Sequence, residues 1–161
     1  MQVQIQDCKV NIDFEKTRTY ESAISLCDCP CCRNFYLQAA GKFPAATAFL
    51  SQLGVSIARP DELGSVADED EIAYLFAAYT VCGTIVGDRD CTLHLRDGDT
   101  NLDVVIGVGA DVPNEQTDDY FVVTVYNMRL PWRLEEPFPE PIPAKGGIRA
   151  KINGWIKSLR P

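Results

Sequence analysis

Polar and apolar residues alternate from Cys8 to Phe14, and a period of two marks a half-buried strand. Residues 17–26, with Tyr20, Ile24 and Leu26, are expected to return as its hairpin partner beyond Glu15-Lys16. The pattern then changes. Pro30 suits the first position of a helix capped by Cys29 or Asp28, running through Arg33 to Ala40 and stopping at Gly41. A second helix is expected from Pro44 to Leu53, with Gly54 as its stop.

From Ser56 to Glu71 the chain is polar and turn-rich, ending in the acidic run Asp68-Glu69-Asp70-Glu71. Ile72 to Val86 is apolar on both alternating faces, the signature of a central strand covered on two sides. Shorter strands are expected at Cys91–Leu95, Leu102–Ile106 and Tyr120–Met128. The sum is an α+β fold: an antiparallel meander with a helical hairpin, from the N-terminal half of the chain, packed on one face. Pro131, Pro137, Pro139, Pro141 and Pro143 make a stiff connector. Beyond Gly146-Gly147, the residues Ile148, Ile152, Trp155, Ile156 and Leu159 recur at helical spacing. The expected organisation is therefore one domain over residues 1–130, a Pro/Gly-rich connector over 131–147, and a basic amphipathic C-terminal helix over 148–161.

Composition narrows the class. With 161 residues, 46% hydrophobic and 24% charged, the chain suits one globular domain. It has no apolar run near the roughly 20 residues that span a bilayer, and its first residues lack a secretory pattern. These readings place it in the cytoplasm, where thiols stay reduced. The net charge of −8 argues against general nucleic-acid binding. The charge is uneven: Lys145, Arg149, Lys151, Lys157 and Arg160 lie in a tail with no acidic residue. That tail is expected to dock on its own acidic body. The alternative is contact with a membrane surface or a partner through Arg149, Lys151, Trp155 and Lys157.

Four of the seven cysteines fall in Cys27-Asp28-Cys29-Pro30-Cys31-Cys32. Proline at 30 holds Cys29 extended. Cys32 then follows one helical turn on, and Cys27, two residues back, points the same way as Cys29. Free N–H groups at a helix start favour thiolates. Cys27, Cys29 and Cys32 thus form a three-sulfur set for a soft metal, zinc first. A redox pair at Cys29 and Cys32 and simple packing of small apolar thiols are the competing readings.

No fourth ligand is evident. Cys31 points away. With the first hairpin closed at Phe14/Thr17, Cys8 faces Ala23 and Cys27 faces Gln4, about 13 Å apart along the strands. Cys82 and Cys91 share a strand face if Val86 pairs with Cys91, but sit apart along the ladder. His94, the only histidine, lies on the face opposite Cys91. Asp97-x-Asp99-x-Asn101-x-Asp103 lacks the sixth-position glycine and twelfth-position acid of a calcium loop, so a solvated hairpin turn is expected. A hydrolase triad cannot be assembled from one histidine without a nucleophile elbow.

The chain resembles a group of small bacterial proteins with no established activity. The shared features are Cys27-Asp28-Cys29-Pro30-Cys31-Cys32-Arg33-Asn34-Phe35-Tyr36, Phe43-Pro44, Phe49-Leu50-Ser51-Gln52-Leu53-Gly54, Pro60-Asp61-Glu62-Leu63 and Leu130-Pro131-Trp132. The resemblance spans roughly residues 8–140, with Cys31 outside the pattern. It implies a bacterial cytosolic setting and no catalytic residue, and it marks Cys27, Cys29, Cys32, Arg33 and Asn34 as site candidates. The functional expectation is a non-enzymatic protein-interaction module, with a metal at the three cysteines. The alternatives are a thiol-dependent redox enzyme or sensor, in which Arg33 favours the thiolate, and a membrane-surface protein bound through its basic C-terminal helix.

Overall fold

The computed structural model describes residues 1–87, 90–108 and 119–140. Among them it shows an α+β fold of seven strands in one antiparallel sheet and three helices. In chain order these are β1 (Gln2–Ile5), β2 (Cys8–Ile12), α1 (Phe14–Ala23), α2 (Pro30–Lys42), α3 (Pro44–Gln52), β3 (Glu62–Asp68), β4 (Glu71–Ile85), β5 (Cys91–Asp97), β6 (Thr100–Gly107) and β7 (Tyr120–Pro131). The expected C-terminal helix at 148–161 lies outside the described residues, as do positions 141–147 of the connector.

The first hairpin differs from the expectation. The partner of β2 is β1, in a register that sets Ile5 against Cys8 and Val3 against Val10. Residues 17–26 do not form a strand: Asp13 caps α1 by accepting the Lys16 N–H at 3.0 Å, and Glu15 adds negative charge to the first turn. Of the three apolar residues that suggested a strand, Ile24 and Leu26 lie beyond the helix end. Thr17 fixes α1 to the sheet. Its buried hydroxyl donates to the Asp13 carbonyl at 2.7 Å and accepts the Cys82 N–H at 3.1 Å.

The helical hairpin forms as expected, though α2 continues one residue past Gly41. Cys29 is the extended N-cap, with φ −69° and ψ 153°, as the following proline requires. Gly54 ends the α3 region at φ +87°, where its missing Cβ also clears the Phe14 ring. Helix α1 packs on β4, α2 on β7 and α3 on β5. Phe35, Phe43, Leu50 and Leu53 of the helical pair are fully buried against Ile72, Tyr74, Leu102 and Phe121 of the sheet. Each contributes about 1.5–3 kcal/mol by burial.

The sheet order is β1-β2-β4-β7-β6-β5, with β3 also on β4. The expected meander is corrected here: β4 pairs with β7 from Glu71↔Pro131 to Cys82↔Tyr120, not with β5, so Cys82 and Cys91 do not share a ladder. Residues 62–68, expected as turn-rich, form β3 along β4. Their apolar signal is weak because the strand is only half buried. Ile72 and Tyr74 face the core, but so do Ala77, Tyr79 and Val81, so β4 switches faces between them. The β3 register shifts between Gly64 and Ser65 at the same level, and Asn127 on β7 takes φ +68° there. Both-face burial in β4 is in part this switch.

At its far end β4 passes β2, with the Val86 N–H on the Lys9 carbonyl at 2.7 Å. The chain then reaches Cys91, which forms a disulfide with Cys8. The pairing of Cys8 with Ala23 is thereby corrected, and two of the seven thiols expected to be reduced are oxidised. The bond ties β2, second in the strand order, to β5 at its far end. None of the described helices is long and apolar enough to cross a membrane.

Candidate metal centre

The peptide from Cys27 to Cys32 leads out of the segment after α1 and turns into α2 at Pro30. Its extended half presents Cys27 and Cys29 to solvent, and its helical half buries Cys32 at 6% exposure. The sulfurs of Cys27, Cys29 and Cys32 all lie within 4.8 Å of one another. Sulfurs bound tetrahedrally to zinc at about 2.3 Å sit about 3.8 Å apart, so a contraction of an ångström or less closes the set on an ion. The three residues lie close enough to hold a metal ion.

Their protonation is uneven. The Cys29 backbone N–H, then the Cys29 and Cys32 side chains, hydrogen-bond to Cys27 and hold its thiol below the ordinary 9.0. Burial pushes Cys32 well up, and its bonds to Cys29 and Cys27 add to the rise. The lowering at Cys27 thus comes from hydrogen bonds within the loop, and at the buried Cys32 desolvation outweighs the lowering expected of a helix start. Cys31 points elsewhere, as expected: burial raises it, while a hydrogen bond with Ser65 opposes the rise. The Tyr74 hydroxyl donates to the Cys31 carbonyl at 2.7 Å.

Arg33 and Asn34 have separate positioning tasks. The Arg33 guanidinium donates to the Asp28 carbonyl at 3.1 Å, inside the cysteine loop, and to Glu136 at 2.7 Å. Its tie to Glu136 makes it a brace for the loop. Asn34, fully buried, donates to the Tyr74 hydroxyl at 3.1 Å and to the Pro131 carbonyl at 3.2 Å, and accepts the Arg133 N–H at 3.0 Å. Thus Asn34 fixes α2 to the end of β7 and offers the cysteines no donor atom of its own. Residues 132–140 run against this junction, with the Trp132 indole N–H on the Glu136 carbonyl at 2.7 Å. The tail candidates Arg149, Lys151, Trp155 and Lys157 lie outside the described residues.

Two neighbours were not anticipated as site residues. Tyr36 lies one turn after Cys32 and hydrogen-bonds with it, and burial raises its phenol so that it stays protonated. The i, i+4 spacing carried that signal. Glu136 is over a hundred residues away in sequence, and no local pattern points to it. A cleft of about 330 Å³ beside the Cys8–Cys91 disulfide, lined by Ile5, Asp7, Val86, Asp90 and Leu93, includes none of the clustered cysteines.

His94 stands on the outer face of β5, with Nδ1 2.7 Å from Asp103, whose other oxygen accepts the Asn127 amide at 2.7 Å. Asp97 is not solvated. It is 6% exposed and accepts the Ala45 and Ala46 N–H groups at 2.6 and 3.1 Å, capping α3 from the β5–β6 turn. Compared with protein-family models, curated proteins and solved structures, the chain matches none.

Proposed function

We propose that the protein is a non-enzymatic interaction module built around a soft-metal centre at Cys27, Cys29 and Cys32, with zinc as the metal and another protein as the partner. The observation that carries the reading is the convergence of three sulfurs within 4.8 Å at a helix start, two exposed and one buried. Thiolates select zinc, copper(I) and iron–sulfur chemistry over hard cations. Zinc uses such sets to fix short loops that lack a core of their own. Leu37, 65% exposed, follows Arg33 by one turn and supplies an apolar contact on the same helix face. The negative net charge weighs against a nucleic-acid partner. The resemblance to small bacterial proteins suggests a bacterial setting.

Elemental analysis of protein purified without chelator, with a count of natively reactive thiols, tests this. The reading expects near-stoichiometric zinc, with Cys27, Cys29 and Cys32 slow to alkylate until a chelator is added. Protein that purifies without metal and shows two fast-reacting thiols would instead support the thiol-redox reading. That second reading draws on the hydrogen bonds that stabilise the Cys27 thiolate at the surface, and it adds Cys27 to the pair Cys29 and Cys32. Binding to anionic vesicles that disappears when residues 148–161 are deleted would support the membrane-surface reading.

A further inference from the structure

We infer that the fourth position on the metal is filled by a thiolate supplied from outside this chain, so that the centre is itself the docking point for its partner. This rests on the metal reading of Cys27, Cys29 and Cys32.

The argument begins with a full account of the soft donors. The chain has seven cysteines and one histidine, and every one lies within the described residues. Three form the centre. Cys8 and Cys91 are joined to each other. Cys82 is 1% exposed inside the sheet, under Thr17 of α1. Cys31, next to the centre in sequence, is outside the group of converging sulfurs and hydrogen-bonds with Ser65. His94 is on the outer face of β5, held by Asp103. Among the described residues no Asp or Glu oxygen joins the three sulfurs. The nearest in sequence, Asp28, lies 3.5 Å from the Arg33 guanidinium. The Tyr36 phenol is engaged in a hydrogen bond with Cys32.

The shape of the centre says from which side a fourth ligand arrives. Cys32 is buried and closes the protein side, while Cys27 and Cys29 are exposed and form a rim. A metal held by all three therefore presents its remaining position to solvent. The surroundings favour an anion: the N-terminal end of a 13-residue helix and the Arg33 guanidinium both flank the rim. Thiolate is the anionic donor that a soft ion already on three sulfurs accepts best. On binding, the incoming thiol transfers its proton to solvent as its sulfur bonds the metal, and the water it replaces leaves. No electrons are exchanged.

The test uses the full chain loaded with cobalt(II), whose sulfur-to-metal absorption grows with the number of thiolates bound. Addition of 2-mercaptoethanol should raise that absorption by about a third, from three sulfurs to four, and ethylene glycol should leave it unchanged. The same rise in the Cys8→Ser/Cys91→Ser double variant excludes thiols freed from the disulfide. Cys31→Ser should show the parent's starting absorption and the same rise.

A cysteine-containing peptide that reproduces the rise, where its serine counterpart fails, identifies a protein thiol as a competent source. A rise with protein concentration alone, accompanied by dimerisation, identifies a second copy as the source. A cobalt spectrum already at four sulfurs, or one indifferent to every thiol, overturns the inference while leaving the metal reading intact. A chain that binds no cobalt overturns both.

Discussion

The Asn34 carboxamide oxygen accepts the Arg133 backbone N–H at 3.0 Å, joining the second turn of α2 to the chain just past β7. The same side chain donates to the Pro131 carbonyl and the Tyr74 hydroxyl. Removing it takes three hydrogen bonds from the junction, although the Pro131 carbonyl keeps the Gln38 amide at 2.9 Å and the Tyr74 hydroxyl keeps the Cys31 carbonyl at 2.7 Å. Asn34→Ala should cost about 1–3 kcal/mol, since each net hydrogen bond lost costs about 0.5–1.5 kcal/mol. Asn34→Asp should cost at least as much, because a carboxylate cannot donate to the Pro131 carbonyl. Urea unfolding reads this as a lower midpoint at constant slope. A loss under about 0.5 kcal/mol would show that the junction is held by other contacts.

Helix α3 has no capping side chain of its own at Phe43, and Asp97 fills that role from the β5–β6 turn. Replacing a capping acid by alanine costs about 0.5–2 kcal/mol, and burial of the two orphaned N–H groups puts Asp97→Ala at the upper end. Asp97→Asn keeps an acceptor oxygen and should recover part of the loss. Equal stability of the alanine variant and the parent in thermal melts would contradict the cap. Asp99→Ala, in the same turn, serves as the control.

What was legible in the sequence follows the range of each force. The α2–α3 hairpin could be read because Pro30, Pro44 and Gly54 punctuate it locally, and β4 could be read because fifteen residues of apolar chain admit few alternatives. Helix α1 reads as a strand although Asp13 and Glu15 carry an N-terminal helix signal, because Tyr20, Ile24 and Leu26 mimic alternation. β1 is four residues long, and β3 is half buried, so neither has enough apolar contrast to stand out. The site divides the same way. Cys27, Cys29 and Cys32 are set by proline and helix geometry within six residues. The Glu136 brace, the Asp97 cap and the Cys8–Cys91 bond depend on which strands meet, which no local pattern encodes.

Two glycines should respond oppositely to alanine. Gly83 sits at φ +148°, and a Cβ there would lie 1.9 Å from the Asn11 carbonyl oxygen on the paired strand. Both the clash and the dihedral resist substitution, and neither backbone can yield without opening the β2–β4 ladder. Gly83→Ala should therefore destabilise by about 3 kcal/mol or more. Gly41, in the last turn of α2, has nothing within 4 Å of an added Cβ. Gly41→Ala should stabilise by up to about 1 kcal/mol through helix propensity. Parallel denaturant curves decide both, and a tolerated Gly83→Ala would contradict the β2–β4 register.

The Cys8–Cys91 bond closes a separation of 83 residues. On the chain-entropy account, a loop of that size is worth about 4.5 kcal/mol through restriction of the unfolded chain. Reduction, or the Cys8→Ser/Cys91→Ser variant, should lower the melting temperature markedly, and parent and variant should converge once reductant is added. Because the bond lies across β2 and β5, metal loading at the cysteine cluster should survive its loss. A melting temperature indifferent to reductant would mean that the two thiols are not joined.

Cys27 should be the first thiol to alkylate in metal-free protein, and its pH profile should carry the signature of the loop. Hydrogen bonds to the thiolate, first from the Cys29 N–H, place its folded midpoint below the ordinary 9.0. A depressed value means the thiolate form is favoured in the folded chain, so reactivity should persist as pH falls and be lost only below the unfolded chain's midpoint. Cys29→Ala removes a sulfhydryl donor but leaves the backbone N–H, so the midpoint should move back only in part. Cys32, raised by burial, should stay unmodified across the same range. Mass spectrometry of iodoacetamide adducts, in native and urea-unfolded chain, separates the positions. Identical midpoints for Cys27 in the two states would show that the loop does not organise its sulfurs without metal.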